Sequence, residues 1–280
     1  MAKQNLVFYF IIKLLFALLW LIPAVLWAQN KKENLAGPLT FYYEMQYSAA
    51  GDTLQSDYRE TFLLHVNGRN SLFASEKTVR QDSVKAAQLI ALRQGARSFS
   101  MQGVPSSAFS YYITKDELTA PVIVYDRIGG THFTYDEAET ANWQITGAHK
   151  IFHGQPCQQA IARQFGRTWI AWFAPQIPLS DGPYKFRGLP GLIVEVYDEA
   201  LQYRFKLTKF DPALTTVISI PEFRKYKIAH TNRTQFLKAR QSYRENLPEL
   251  TRSLGLQISE ERVRQLRENA KKKVIPLELD

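Results

Sequence analysis

The chain has 280 residues, 45% of them hydrophobic and 13% aromatic, and its 35 Lys and Arg against 26 Asp and Glu give a formal charge of +9. Cys157 is the sole cysteine, so an internal disulfide is excluded and a hydrophobic core has to carry the fold.

The first 28 residues read as a targeting segment. Lys3 and Lys13 precede an uncharged run, "LLFALLWLIPAVLWA", from Leu14 to Ala28, and polar "QNKKEN" follows. A run of about 15 residues is short of the roughly 20 that span a bilayer as a helix. A signal peptide over 1–28 with cleavage after Ala28 is predicted, which makes Gln29 the first mature residue. Leu26 and Trp27 depart from the small-x-small cleavage pattern, so an uncleaved signal anchor is the alternative. Removing residues 1–28 takes away two lysines and no acid, leaving +7 over 252 residues. On an exported chain that charge serves solubility alone or meets anionic lipids, lipopolysaccharide or acidic glycans before nucleic acid.

Residues 29–38 end in Gly37-Pro38 and read as a flexible leader to a single β-rich domain over 39–280. "LTFYYEMQYS" and "YRETFLLHVNG" carry the aromatic and β-branched residues of strands, the second ending at the turn signal Asn67-Gly68. Val79, Val84, Ala87, Leu89 and Ile90 then fall at helical spacing, with Ser75 as cap and Gly95 as stop, which predicts one helix near 76–93. Strand patterns return in "AFSYYITK", "APVIVYDRI" and "THFTYDE", the last two joined at Gly129-Gly130. "PCQQAIARQF" and "RTWIAWF" pair through Gly166-Arg167, and "LIVEVYD" and "LQYRFKLTKF" through Glu199-Ala200. From about Thr231 the charges recur at helical spacing. Two C-terminal helices are expected, the first ended or kinked at Pro248 and the second capped by Ser259. The predicted class is mainly β, a β-rich α+β fold with about ten antiparallel strands.

Catalytic signatures are sparse. Gly-x-Ser-x-Gly, His-Glu-x-x-His and glycine-rich phosphate loops are absent. His149, His153 and Cys157 are spaced four apart, but Gly154 and Pro156 forbid a helix that would gather them, and on a strand that spacing is about 13 Å. No metal and no cofactor are expected. Two acidic clusters, Asp136-Glu137-Glu139 and Glu195-Asp198-Glu199, are the candidates for paired-carboxylate hydrolysis, although acids at strand ends are ordinarily solvated. No catalytic residue is assigned.

The stretch 181–193, "DGPYKFRGLPGLI", is dominated by corners. Pro190 and Gly191 suit the central positions of a type II turn over Leu189–Leu192, and Asp181-Gly182-Pro183 makes a second corner. Between them Tyr184, Lys185, Phe186 and Arg187 form a short excursion. After them Leu192, Val194 and Val196 should point one way and Ile193, Glu195 and Tyr197 the other.

The intact Gly188-Leu189-Pro190-Gly191-Leu192-Ile193 resembles the signature of the GLPGLI family of exported Gram-negative bacterial proteins, and "GRTWIAWFAPQIPLSDGPYKF" upstream resembles the rest of its core. The matching positions are Cys157, Gly166, Arg167, Ala171, Trp172, Ile177, Pro178, Gly182, Pro183, Phe186 and 188–193. The family has no established activity. The sequence is also similar to the bowl-like N-terminal domain of some secreted peptide N-glycosidases, which implies a single curved antiparallel sheet and a periplasmic or outer-membrane-associated location.

Within the signature, Gly182, Pro183 and Gly188 to Ile193 are explained by corners and one buried strand. Arg167, Trp172, Tyr184 and Arg187 are not, and they are the candidate binding residues, a cation–π clamp for a glycan or peptide. The expected function is a non-enzymatic binding or accessory module of the cell envelope, holding a peptide, glycan or protein partner. An envelope-polymer hydrolase using one acidic cluster and a purely structural envelope protein are the alternatives.

Overall fold

The computed structural model describes residues 37–47, 58–116, 120–211, 228–253, 259, 261, 264, 277 and 278. The expected signal peptide at 1–28, nearly all of the 29–38 leader and most of the expected helix after Ser259 lie outside them. The described residues form β1 (Leu39–Tyr47), β2 (Tyr58–Asn67), β3 (Asn70–Ser75), α1 (Glu76–Arg93), β4 (Tyr112–Lys115), β5 (Val122–Ile128), β6 (Thr131–Glu137) and β7 (Gln144–Phe152). They continue through β8 (Gln155–Gln164), β9 (Arg167–Ala174), β10 (Leu192–Asp198), β11 (Tyr203–Asp211), β12 (Ile228–His230) and α2 (Arg233–Ser253).

All twelve strands share one open sheet in the order β12-β6-β5-β4-β3-β2-β1-β11-β10-β9-β8-β7. It consists of two consecutive meanders, β1 to β6 and β7 to β11, joined where β1 pairs with β11. The expectation of a purely antiparallel sheet is corrected by β12, which lies parallel to β6. Hairpin geometry follows from two-residue turns. His153 and Gly154, both with positive φ, connect the paired Phe152 and Gln155, and Phe165 and Gly166 do the same between Gln164 and Arg167. Turns of this hand match the right-handed twist of the flanking strands. The second turn therefore sits one residue earlier than the expected Gly166-Arg167.

Alternation sets the two faces. In β11, Tyr203, Phe205 and Leu207 are buried while Arg204, Lys206 and Thr208 are not. In β9, Arg167, Trp169, Ala171 and Phe173 enter the core and Trp172 takes the other face. β10 breaks the expected alternation: its register with β9 slips between Ile193 and Glu195, so Ile193 opposes Phe173 and Glu195 opposes Trp172. A bulge inserts one residue and reverses facing beyond it.

The sheet is curled. The rings of Tyr135 in β6 and Phe165 at the end of β8 both lie near Lys185 Nζ, at 5.1 and 4.8 Å. These strands are nine inter-strand steps apart, about 43 Å in a flat sheet. One aromatic core, including Phe62, Phe73, Phe205, Trp169 and Phe186, fills the inner face.

α1 is capped by Ser75, whose Oγ accepts from the Thr78 backbone N–H. Its expected apolar stripe docks at its start and not at its end: Val79 packs on the buried cluster of Leu72, Ala74 and Tyr112, whereas Leu89 and Ile90 are exposed, and Thr78 is the one fully buried residue of the helix. α2 is capped by Asn232, which accepts from Gln235 N–H at 2.9 Å, and anchored by Phe236 against Phe133 and Tyr135. It runs through Pro248 to Ser253, so of the two expectations for Pro248, an end or a kink, the end is corrected, and it is the one C-terminal helix with a full span among the described residues. No helix among these residues is long and apolar enough to cross a membrane.

Candidate functional site

The connection between β9 and β10 folds inward. Asp181 and Arg187 pair as an isolated antiparallel bridge, and Phe186 N–H donates to Pro183 O at 3.1 Å, so residues 183–186 form the tip of a miniature hairpin. Tyr184 has φ 54°, a left-handed conformation that a non-glycine residue holds only when its surroundings fix it. The surroundings are aromatic: Tyr184 stacks on Phe205 and meets Tyr111 and Phe165 edge-on. Tyr184, Lys185, Phe186 and Arg187, the expected short excursion between strands, are all buried.

The Leu-Pro-Gly corner is not a type II turn. Gly191 N–H donates to Leu189 O at 2.8 Å across Pro190, while Leu192 N–H turns away to Ile177 O. This is a three-residue turn centred on proline, whose fixed φ suits it. Gly191 has φ 154°, and a Cβ there would lie 2.7 Å from the Ala174 carbonyl carbon and 2.9 Å from Pro175 Cα, closer still to the Ala174 oxygen. Gly182 is likewise closed in, with Ile193 Cβ at 2.8 Å from the position its own Cβ would take.

Two lysines are buried around this hairpin. Lys115, from β4, reaches Asp181 Oδ1 at 2.5 Å, Gly182 O at 2.7 Å and Tyr184 O at 3.1 Å. Burial lowers its pKa, against the opposing pull of Asp181. The side chain of Lys185 is 1% exposed, and its Nζ lies 2.6 Å from Glu278 and 3.4 Å from both Glu137 and Tyr135 OH. Arg233, the first residue of α2, joins both acids through Nε, at 2.6 Å from Glu278 and 3.8 Å from Glu137. Tyr184 OH donates to Glu278 as well. Burial raises the Glu278 pKa, but Lys185, Tyr184 and Arg233 outweigh it and hold the carboxyl below its ordinary value. Burial likewise lifts Glu195 and is outweighed by Lys150 and Arg204.

Both acids therefore have folded pKa values below their unfolded ones. Their contribution is complete above the unfolded value of about 4.3 and is lost as pH falls through the folded values. The contribution of these two acids to the thermal midpoint should be lost below roughly pH 4, and Glu278→Gln should make that part of the fall shallower; burial of His65 and His132, which lowers both imidazole pKa values, adds an earlier decline below about pH 6.5. A scan of unfolding midpoint against pH checks this.

The four candidate binding residues do not form one clamp. Arg167 lies in the core, donating from Nη1 to Asp198 and Gln202 at 2.7 Å each and from Nε to Leu277 O at 2.9 Å, with its guanidinium 5.2 Å from the Tyr203 ring. Tyr184 and Arg187 belong to the inward hairpin, and Arg187 donates to Ala120 O. Trp172 stands on the opposite face, with Lys150 Nζ 4.3 Å from its ring. Lys150 and Arg204 close on Glu195 beside it.

The acidic clusters separate in the same way. Glu137 turns inward while Asp136 and Glu139 are exposed, and Glu195 and Asp198 lie on opposite faces of β10. His149 and His153 are exposed at the β7–β8 hairpin, whereas Cys157 is fully buried and burial pushes its thiol pKa up. Among the described residues no three His, Cys, Asp or Glu side chains gather to hold a metal ion.

Sequence reasoning missed Lys115, Lys185, Glu137, Arg233 and Glu278 as a group. The available signal was Lys185 itself, a cation set between the aromatic residues Tyr184 and Phe186.

A family model described as "Protein of unknown function (Porph_ging)", a GLPGLI-type family, matches residues 132–195, under a quarter of the chain. The span runs from β6 to β10 and includes the inward hairpin. No curated protein matches the chain. Among solved structures the chain is similar to PNGF-II, a peptide N-glycosidase, in its P21 crystal form, with a TM-score of 0.50 and 9% identity. The C2 form gives a TM-score of 0.49 and the same 9% identity. Each match covers 75% of this chain and 34% of PNGF-II, so the chain spans about a third of the length of that protein. At this identity the likeness is one of fold: a mainly β chain built on one large open sheet.

Proposed function

We propose that the chain is a non-enzymatic binding or accessory module of a Gram-negative cell envelope, exported by residues 1–28 and holding a peptide, glycan or protein partner. The observation that carries this reading is the state of the interior acids. Glu137, Glu195 and Asp198, the buried members of the two acidic clusters, are each engaged by lysine or arginine. Carboxylates locked in ion pairs are poorly suited to the protonation changes of general acid–base hydrolysis. The surface near β7 has a different character: Ile145 and Ile151 are 52% and 70% exposed on an edge strand. Trp172 with its ammonium neighbour lies two strands away, and apolar edges beside an aromatic ring suit a partner surface. PNGF-II lends the glycan and peptide classes to this proposal through its fold likeness alone.

Passing an N-glycopeptide and its deglycosylated form over the immobilised chain, then weighing both by mass spectrometry, tests the reading. Retention with unchanged mass is expected. Release of glycan or cleavage of peptide, abolished by Glu137→Gln, would establish the hydrolase instead, and passage of both unretained would favour a structural role. Recovery of the native protein with Gln29 as its first residue tests the export half.

A further inference from the structure

We propose that Lys185, Arg233, Tyr184 and Arg167 form a receptor for a Leu-Glu peptide segment, occupied in this chain by Leu277-Glu278 and open to exchange with a partner peptide of the same chemistry. The inference rests on the binding reading above and deepens it by naming an apolar–acidic peptide as a ligand class.

The geometry is that of a ligand in a site. Adjacent residues are read at two points: Arg167 Nε donates to the Leu277 carbonyl at 2.9 Å, and Lys185 and Arg233 each meet the Glu278 carboxylate at 2.6 Å. Tyr184 adds a hydroxyl donor to the same carboxylate. The donors come from the start of β9, the tip of the inward hairpin and the first residue of α2, three separate parts of the fold.

Each cation also has a partner that does not depend on Glu278. Arg167 keeps Asp198, while Lys185 and Arg233 keep Glu137 at 3.4 and 3.8 Å. The frame is thus held together without the segment it binds. Without Glu278, Lys185 and Arg233 keep Glu137 at the longer distances, beside the Phe165 ring that lies 4.8 Å from Lys185 and 5.0 Å from Arg233. A carboxylate entering here gains charge-assisted hydrogen bonds from Lys185 and Arg233 and a third from the Tyr184 hydroxyl, and the hydrogen bond to the Leu277 carbonyl favours one carried on a peptide.

The test uses the full chain carrying Leu277→Ala and Glu278→Ala, and a fluorescein-labelled peptide of residues 274–280, VIPLELD. Fluorescence anisotropy should show saturable binding to the double variant. Binding should weaken by about tenfold or more when the peptide glutamate is replaced by glutamine, and likewise for the wild-type chain, whose site is filled. If the double variant is unfolded alone, the peptide should restore a cooperative melt and its glutamine form should not. A folded variant that ignores the peptide, equal affinity for the two peptides, or an unfolded variant that the peptide leaves unfolded would overturn the proposal. Each of these outcomes leaves retention of a glycopeptide as a separate measurement, so the two readings fail separately.

Discussion

Gly191→Ala should cost about 3 kcal/mol of stability, the upper range for forcing atoms into a packed interior. The new methyl group would meet the Ala174 carbonyl and Pro175 Cα, which are backbone atoms at the end of β9 and have no rotamer by which to move aside. Gly188→Ala is the control. Gly188 has φ 97° but its nearest neighbour is Trp143 Cδ1 at 4.0 Å, so its substitution carries backbone strain alone, about 1–2 kcal/mol. Pro190→Ala should cost less than about 1 kcal/mol, since it loosens the turn without a clash. Urea unfolding of the three variants gives the ranking. If Gly188→Ala proves the more damaging, close approach is not the reason for glycine at 191.

The second large effect is expected from Lys185→Met. Removing the ammonium leaves Glu278 and Glu137 buried with Arg233 as their shared cation, and breaking a buried ion pair from one side typically costs about 3–5 kcal/mol. Adding Glu278→Leu should restore part of that loss, because the uncompensated carboxylate goes with it. Lys150→Met offers the contrast. Lys150 is 30% exposed and Glu195 retains Arg204, so the loss should be within about 1 kcal/mol. The coupling between positions 185 and 278 is obtained from a double-mutant cycle. Wild-type stability in Lys185→Met would remove the buried cluster from any account of what holds the hairpin inward.

Much of the sheet was legible from alternation. β11 shows it plainly, because Tyr203, Phe205 and Leu207 face an aromatic core while the residues between them are polar. β7 escaped notice for the opposite reason: as an edge strand exposed along most of its length, and carrying Gly147, it has no apolar face to announce it. β3 was hidden by its brevity, and β12 by its unexpected parallel pairing. The corners at 181–191 were legible as corners, but their direction was not. Burial of Lys185 and Arg187 is not what their type announces, because a charge ordinarily stays in water. They are buried because their counter-charges and acceptors come from far along the chain, Glu137 and Glu278 for Lys185 and the Ala120 carbonyl for Arg187. A single sequence carries no signal that pairs position 185 with position 278.

The joining of the two meanders through β1 and β11 also dictates an order of assembly. Thr40 pairs with Asp211, so the seam closes only after nearly the whole sheet-forming chain is available, whereas each meander is assembled from neighbours in sequence. The slow event in folding should be closure of this long loop rather than formation of either half. Until it happens, β1 and β11 present unpaired backbone along complementary edges. Two chains caught at that stage can each complete the other's seam, which makes a strand-exchanged dimer the characteristic misassembly of this topology at high concentration.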